Sequence, residues 1–200
     1  MRLFDMRRGR GWSTAVAVAA LVLPWCTGCP QMAITTAATT AASALVDDRS
    51  MAQQGADLDL KARIEKQLLT DAPSLAEAID VDVYLGRVML TGVVSRPSSR
   101  RRAMAIVRGV AVDNEIFDDI QVASGEGLGD AAGDFALNKE LGVNLLTAMG
   151  VPSQSFQHRV VNGTAFIMGE AKSQGQVETA RQVALRTPGI SRVVTHILVD

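Results

Sequence analysis

Residues 79–94 read "IDVDVYLGRVMLTGVV". Ile79, Val81 and Val83 alternate with Asp80 and Asp82, the pattern breaks at Leu85-Gly86, and apolar residues then resume through Val94. A period of two sends successive side chains to opposite faces, so the segment predicts a hairpin with the aliphatic residues inward and both acids outward. An offset of 77 residues leads to "FQHRVVNGTAFIMGEA" (156–171), which breaks at Asn162-Gly163. Asn-Gly is the favoured pair for a type I′ hairpin turn, because both residues tolerate positive φ.

The same offset, without a gap, relates the sequence on both sides. "LLT" at 68–70 recurs at 145–147, Leu60 maps to Leu137, Gly92 to Gly169, and Ile116, Ile120 and Val122 map to Val193, Ile197 and Val199. An ungapped match at glycines and apolar positions indicates a duplicated domain. Ahead of each hairpin, apolar residues spaced by four (Leu60/Ile64/Leu68 and Leu137/Leu141/Leu145) predict one helical face over 57–70 and 134–149. After each hairpin comes a second helix: Pro97 stands in a first turn before Ala103, Val107 and Val110, and the later copy stops at Pro188-Gly189. The strands "EIFDDIQV" (115–122) and "RVVTHILV" (192–199) close the copies. The expected fold is α+β: two tandem αββαβ units, each a small three-stranded sheet packed by two helices, at 57–123 and 134–200, joined by a Gly/Asp-rich linker, 124–133.

Upstream, "MRLFDMRRGRGW" (1–12) is basic and "STAVAVAALVLPW" (13–25) is apolar. Thirteen apolar residues are short of the ~20 needed to span a bilayer. Basic region, short apolar run and small residues make a secretory signal, here 1–28. Both cysteines, Cys26 and Cys29, follow in "WCTGC". A thioredoxin-type dithiol needs a helix N-terminus behind it to lower the thiol pKa, and the Ala/Thr-rich run that follows offers none. "CTGC" instead resembles a bacterial lipobox, with Cys26 where that motif has Leu. The resemblance implies acylation of Cys29, and Pro30 at the sorting position implies the periplasmic face of the outer membrane. Covalently attached acyl lipid on Cys29 is then the only non-protein group expected. Residues 29–56 read as the acylated cysteine and a flexible tether.

The pattern V-x-V-x-x-x-G-x-V-x-L-x-G-x-V, a helix, and then "PGISRVVTHILV" (188–199) is similar to the BON domain. Lipobox, tether and two copies joined by "GEGLGDAAGD" resemble the dual-BON outer-membrane lipoproteins of Gram-negative bacteria. The first copy departs from that family at "VAVDNEIFDDIQV", which lacks the Pro-Gly turn. The resemblance implies a non-enzymatic role in phospholipid binding and envelope integrity. The rival is an adaptor for other envelope proteins without lipid affinity.

Composition and motifs narrow the chemistry. Without the basic leader the chain holds 16 basic and 20 acidic side chains, against the strongly basic surface that nucleic-acid binding favours. His158 and His196 are too few for a metal site even if they meet, and they read as solvent-facing strand residues. No glycine-rich loop feeds a helix as a phosphate cradle would, and neither a catalytic group nor a small-molecule substrate is expected. Differences between the copies are more informative. In the helix at 134–149, Phe135, Val143, Leu146 and Met149 form an apolar surplus beside the core stripe, fit either for membrane contact or for packing between the copies. Arg100, Arg101 and Arg108 cluster on the second helix of copy one, either as a solvated face or as contacts to an anionic headgroup.

Overall fold

The computed structural model describes residues 49–124, 130–148 and 150–200. Cys29, the signal segment and Met149 lie outside them. Copy one contains α1 (Met51–Asp71), a single-turn α2 (Pro73–Ala76), β1 (Ile79–Tyr84), β2 (Arg87–Val94), α3 (Pro97–Val110) and β3 (Ile116–Val122). Copy two contains α4 (Ala131–Thr147), β4 (Phe156–Val161), β5 (Thr164–Ala171), α5 (Gln174–Arg186) and β6 (Arg192–Val199), with a 3-10 turn at Ser153–Ser155.

Helix α1 starts earlier than the sequence suggests. The Ser50 hydroxyl accepts from Gln53 N while the Gln53 side chain accepts from Ser50 N, a reciprocal capping box that satisfies two free donors. The boundary at 56 between tether and domain is therefore corrected: residues 51–56 are helix. At the other junction α4 begins at Ala131, inside the segment read as linker.

In each copy a hairpin (β1–β2, β4–β5) is antiparallel, and the third strand runs parallel to the second. The parallel step needs a crossover, supplied by α3 and by α5. Leu60, Ile64 and Leu68 of α1 close over Val81, Val83 and Leu90, and Ala103 and Val107 of α3 complete that core. Leu141 and Leu145 of α4 cover Val160, Ala165 and Ile167 in the same way, with Ala180 and Ala184 from α5. Fully burying such side chains contributes about 1.5–3 kcal/mol each, so these stripes drive the two cores.

Both hairpin turns carry positive φ at two residues, 50° and 71° at Leu85-Gly86 and 48° and 64° at Asn162-Gly163. Asn tolerates that region; Leu does so at a steric cost of about 1–2 kcal/mol. Each turn is tied back by an acid on the first helix of its own copy. Asp57 accepts from Leu85 N and Gly86 N at 2.9 and 2.8 Å, and Asp134 accepts from Asn162 N and Gly163 N at 2.8 and 3.3 Å.

The two sheets pack against each other through the faces that the helices leave open. Tyr84 and Met89 of copy one join Val161, Phe166 and Met168 of copy two in a third buried cluster, with Leu85, Val93, Phe117 and Val194 against it. The result is four layers: helices, sheet, sheet, helices.

Candidate functional site

Alternation correctly places Ile79, Val81 and Val83 inward, but the outward face at Asp82 is also covered. Asp82 is only 6% exposed, because copy two lies over it. Arg159 Nη2 donates to Asp82 Oδ1 and Oδ2 at 3.1 and 3.0 Å, and Arg159 Nη1 lies 3.8 Å from Asp80 Oδ1. Burial opposes the Arg159 charge, but Asp82 and then Asp80 outweigh it and hold the guanidinium above its usual pKa range. The reading of Asp80 and Asp82 as solvated acids is corrected for Asp82.

The histidines are corrected as well. His158 pairs in register with the core residue Ile167, while His196 pairs with Met168 of the intersheet cluster, so they sit on opposite faces and do not meet. His196 Nε2 lies 2.7 Å from Asp119 Oδ2, and its ring stacks on Phe117 with centroids 3.9 Å apart. His158 faces α4, with Nε2 against the backbone at Gly142. Burial pushes its pKa below the ordinary value, partly offset by a hydrogen bond to the Asn138 backbone. Further bonds bind the copies: Arg87 Nη1 donates to the His196 carbonyl at 2.8 Å, and Gln121 Nε2 donates to the Val161 carbonyl at 3.1 Å.

With the copies joined sheet to sheet, the apolar surplus of α4 is left at the surface. Phe135, Val143 and Leu146 are 65%, 58% and 56% exposed, so none of them packs between the copies. Phe135 and Leu146 are three turns apart and Val143 is three residues before Leu146, which gives one face. Lys139 Nζ sits over the Phe135 ring, 5.3 Å from its centroid. Part of this surface is shared: Leu58 and Leu69 of α1, the repeat equivalents of Phe135 and Leu146, are exposed too. Only in α4 is the stripe continued, because Val143 stands where α1 has Lys66.

The arginines divide. Arg100 Nε donates to Asp118 Oδ1 at 2.9 Å and its Nη2 to the Asp118 carbonyl at 3.0 Å, so it is held by β3 of its own copy. Arg101 and Arg108 are exposed and form no ion pair among the described residues. Among the described residues no group of three or more His, Cys, Asp or Glu side chains is arranged to hold a metal. No described helix is long and apolar enough to cross a membrane.

The family model of the BON domain matches residues 56–124 and again 133–200. The chain belongs to the BON-domain family. Among curated proteins, this BON-domain chain is similar to a 21 kDa hemolysin of Actinobacillus pleuropneumoniae, with 29% identity over 76% of this chain and 78% of that one. It is 25% identical to the outer membrane lipoprotein DolP of Haemophilus influenzae, over 77% of this chain and 80% of that protein. An uncharacterized protein of Anaplasma centrale is 26% identical over 70% of this chain and 93% of its own length. The family thus accounts for the paired αββαβ units. The interface acids and bases were missed by reading each copy alone. Their signal was complementary side chains at equivalent positions, an acid against a base at Asp82 and Arg159 and an acid against an imidazole at Asp119 and His196.

Proposed function

We propose that this BON-domain protein is a non-enzymatic lipoprotein of the outer membrane, anchored by acyl chains on Cys29, that binds an anionic phospholipid surface and supports envelope integrity. The likeness to an outer membrane lipoprotein supports the compartment. The observation that carries the binding role is the exposed face of Phe135, Val143 and Leu146 on α4. Apolar side chains with a lysine at their edge suit the boundary between headgroups and acyl chains, where the ammonium reaches phosphate and the Phe135 ring and the aliphatic side chains enter the apolar layer. Acyl chains give residence at ~0.8 kcal/mol per buried CH₂, and the α4 face adds a weaker, composition-sensitive contact. Arg101 and Arg108 remain available to anionic headgroups, whereas Arg100 is committed to Asp118.

The test uses the mature chain with Cys29→Ser, which removes the anchor. Phe135→Glu/Val143→Glu is expected to abolish co-sedimentation with phosphatidylglycerol vesicles. Unchanged sedimentation overturns the assignment of this face. Absence of vesicle binding by the parent chain, together with an in-cell crosslink to one envelope protein, favours the adaptor reading. Intact mass of the purified protein reports the cleavage site and the acyl load on Cys29 together.

A further inference from the structure

The arginines of α3 have no counterpart in copy two. Arg96 stands where α5 has Ser173, whose hydroxyl caps its helix by accepting from Gln176 N, and Arg96 makes no such bond. Arg101 stands where α5 has Glu178, and Arg108 where it has Leu185. Residues 95–112 hold five arginines and no acid. A cation at a helix N-terminus opposes the helix dipole and forgoes the cap, so local helix stability does not account for this run. Internal pairing does not account for it either. Asp118 holds Arg100, whereas Arg96, Arg101 and Arg108 meet no acid among the described residues. Arg101 and Arg108 are seven residues apart, hence on one face, and line the same open cleft of about 420 Å³ beside Asp118 of β3.

Their place in the fold sets what they can reach. β1 and β3 are the two edges of the first sheet, and β4 and β6 those of the second. The Asp82–Arg159 pair lays β1 over β4, and the Asp119–His196 contact lays β3 over β6. Helix α4 packs on β4 at the outer side of copy two, while the arginine cleft lies beside β3 at the outer side of copy one. The two features thus occupy diagonally opposite corners of the four layers. Stacked sheets are about 10 Å apart and a helix layer lies beyond each, so a flat bilayer against α4 does not touch Arg101 or Arg108.

The geometry points to a second anionic bilayer as the partner of this corner: with α4 seated on one membrane, Arg101 and Arg108 take phosphates of another, and the chain bridges the two. The inference rests on the membrane reading of α4. Guanidinium forks suit phosphate oxygens, which accept two parallel N–H bonds. The apolar part of the cleft lining is only Met104 and Ala105, so the corner offers charge with little apolar area. A fluid layer of headgroups, which rearranges to meet charge, fits it better than a protein partner, whose interface centres on an apolar core. Each basic side chain near an anionic surface contributes about a five-fold gain. That is too little for one molecule to capture a vesicle, but many molecules held on one bilayer by α4 act together.

The experiment uses the mature chain with Cys29→Ser and vesicles of phosphatidylglycerol in phosphatidylcholine. Co-sedimentation reports contact with one bilayer, and light scattering of the same samples reports clustering of vesicles. The parent chain is expected to sediment and to cluster. Arg101→Glu/Arg108→Glu is expected to sediment within about two-fold of the parent while clustering falls at least about ten-fold. The milder Arg101→Gln/Arg108→Gln is expected to fall between, with thermal melts of both variants matching the parent because the side chains are exposed. Added salt is expected to disperse the clusters before it releases bound chain, since exposed charges are screened and apolar contacts are not. Sedimentation without clustering in the parent, or clustering that survives Arg101→Glu/Arg108→Glu, overturns the bridge and leaves the membrane reading of α4 standing. Equal loss of both readouts in that variant assigns the arginines to the same bilayer as α4 and also overturns it. Absence of sedimentation by the parent overturns both readings. A crosslink in cells from a photoreactive group at Ala105 to one envelope protein, with no clustering by the parent, assigns the corner to an acidic protein and overturns the bridge.

Discussion

Copy one and copy two share a backbone plan, yet at the interface their equivalent positions are opposites. Asp82 meets Arg159 and Asp119 meets His196, each pair separated by the repeat offset of 77 residues. A side chain that touches its own equivalent lies on the pseudo-twofold axis of the pair, so the axis runs across the sheets from β1 and β4 toward β3 and β6. Two identical copies arranged this way would set Asp against Asp. The duplicated chain has put an arginine opposite Asp82 and a hydrogen-bonding histidine opposite Asp119, which favours pairing of unlike copies over pairing of like ones. The apolar part of the interface has diverged in size: Tyr84 stands opposite Val161 in the repeat and Met89 opposite Phe166. Large residues in one copy thus correspond to different shapes in the other, as close packing between two unlike faces requires.

The strongest way to break this arrangement is to empty the apolar cluster. Phe166→Ala is expected to lower stability by about 3–5 kcal/mol, as for other buried Phe truncations. Because Phe166 belongs to the cluster shared by both sheets, urea unfolding is expected to change from one transition toward two. A single transition with the parent midpoint removes the interface from the list of structural determinants.

The charge pair offers a sharper test. Asp82→Arg places two guanidinium groups together at a side chain only 8% exposed, and a loss of about 3 kcal/mol is expected in urea titrations. Asp82→Arg/Arg159→Asp is expected to recover at least about half of that loss, because the positions are equivalent and the pair is re-formed in reverse. Recovery is incomplete because Lys61 then faces a cation and Asp80 an anion. No recovery means that the pair is not a coupled unit.

The smallest effect separates His158 from its repeat equivalent Val81. Burial lowers the His158 pKa in the folded chain below its ordinary 6.5. The unfolded chain therefore binds the proton first as pH falls, and stability declines below about pH 6.5 until the folded group also titrates. His158→Val is expected to flatten that part of the pH–stability curve. An unchanged slope between pH 6.5 and 5 assigns the acid sensitivity to other groups.

Much of the fold was legible because it rests on local periodicity. The spacing of Leu60, Ile64 and Leu68, the alternation at Ile79–Val83 and the turn at Asn162-Gly163 each follow from helix, strand and turn geometry. Ser50 and Gln53 also announce a helix start, but their polar surroundings disguise it as tether. The candidate membrane face was legible as a surplus on α4, while its exposure was not: an apolar helix face reads alike whether lipid, solvent or a second domain lies beyond it.

Local patterning alone specifies two αββαβ copies, their inward stripes and the residues available at Phe135, Val143 and Leu146. That the open sheet faces meet, burying Asp82, engaging His196 and leaving the apolar face of α4 exposed, follows from the packing of the two copies. The reason is physical. Periodicity records which side of a strand or helix is apolar, but a carboxylate such as Asp82 becomes an interface residue only when its partner, 77 positions away, is carried to it by the packing of two complete sheets.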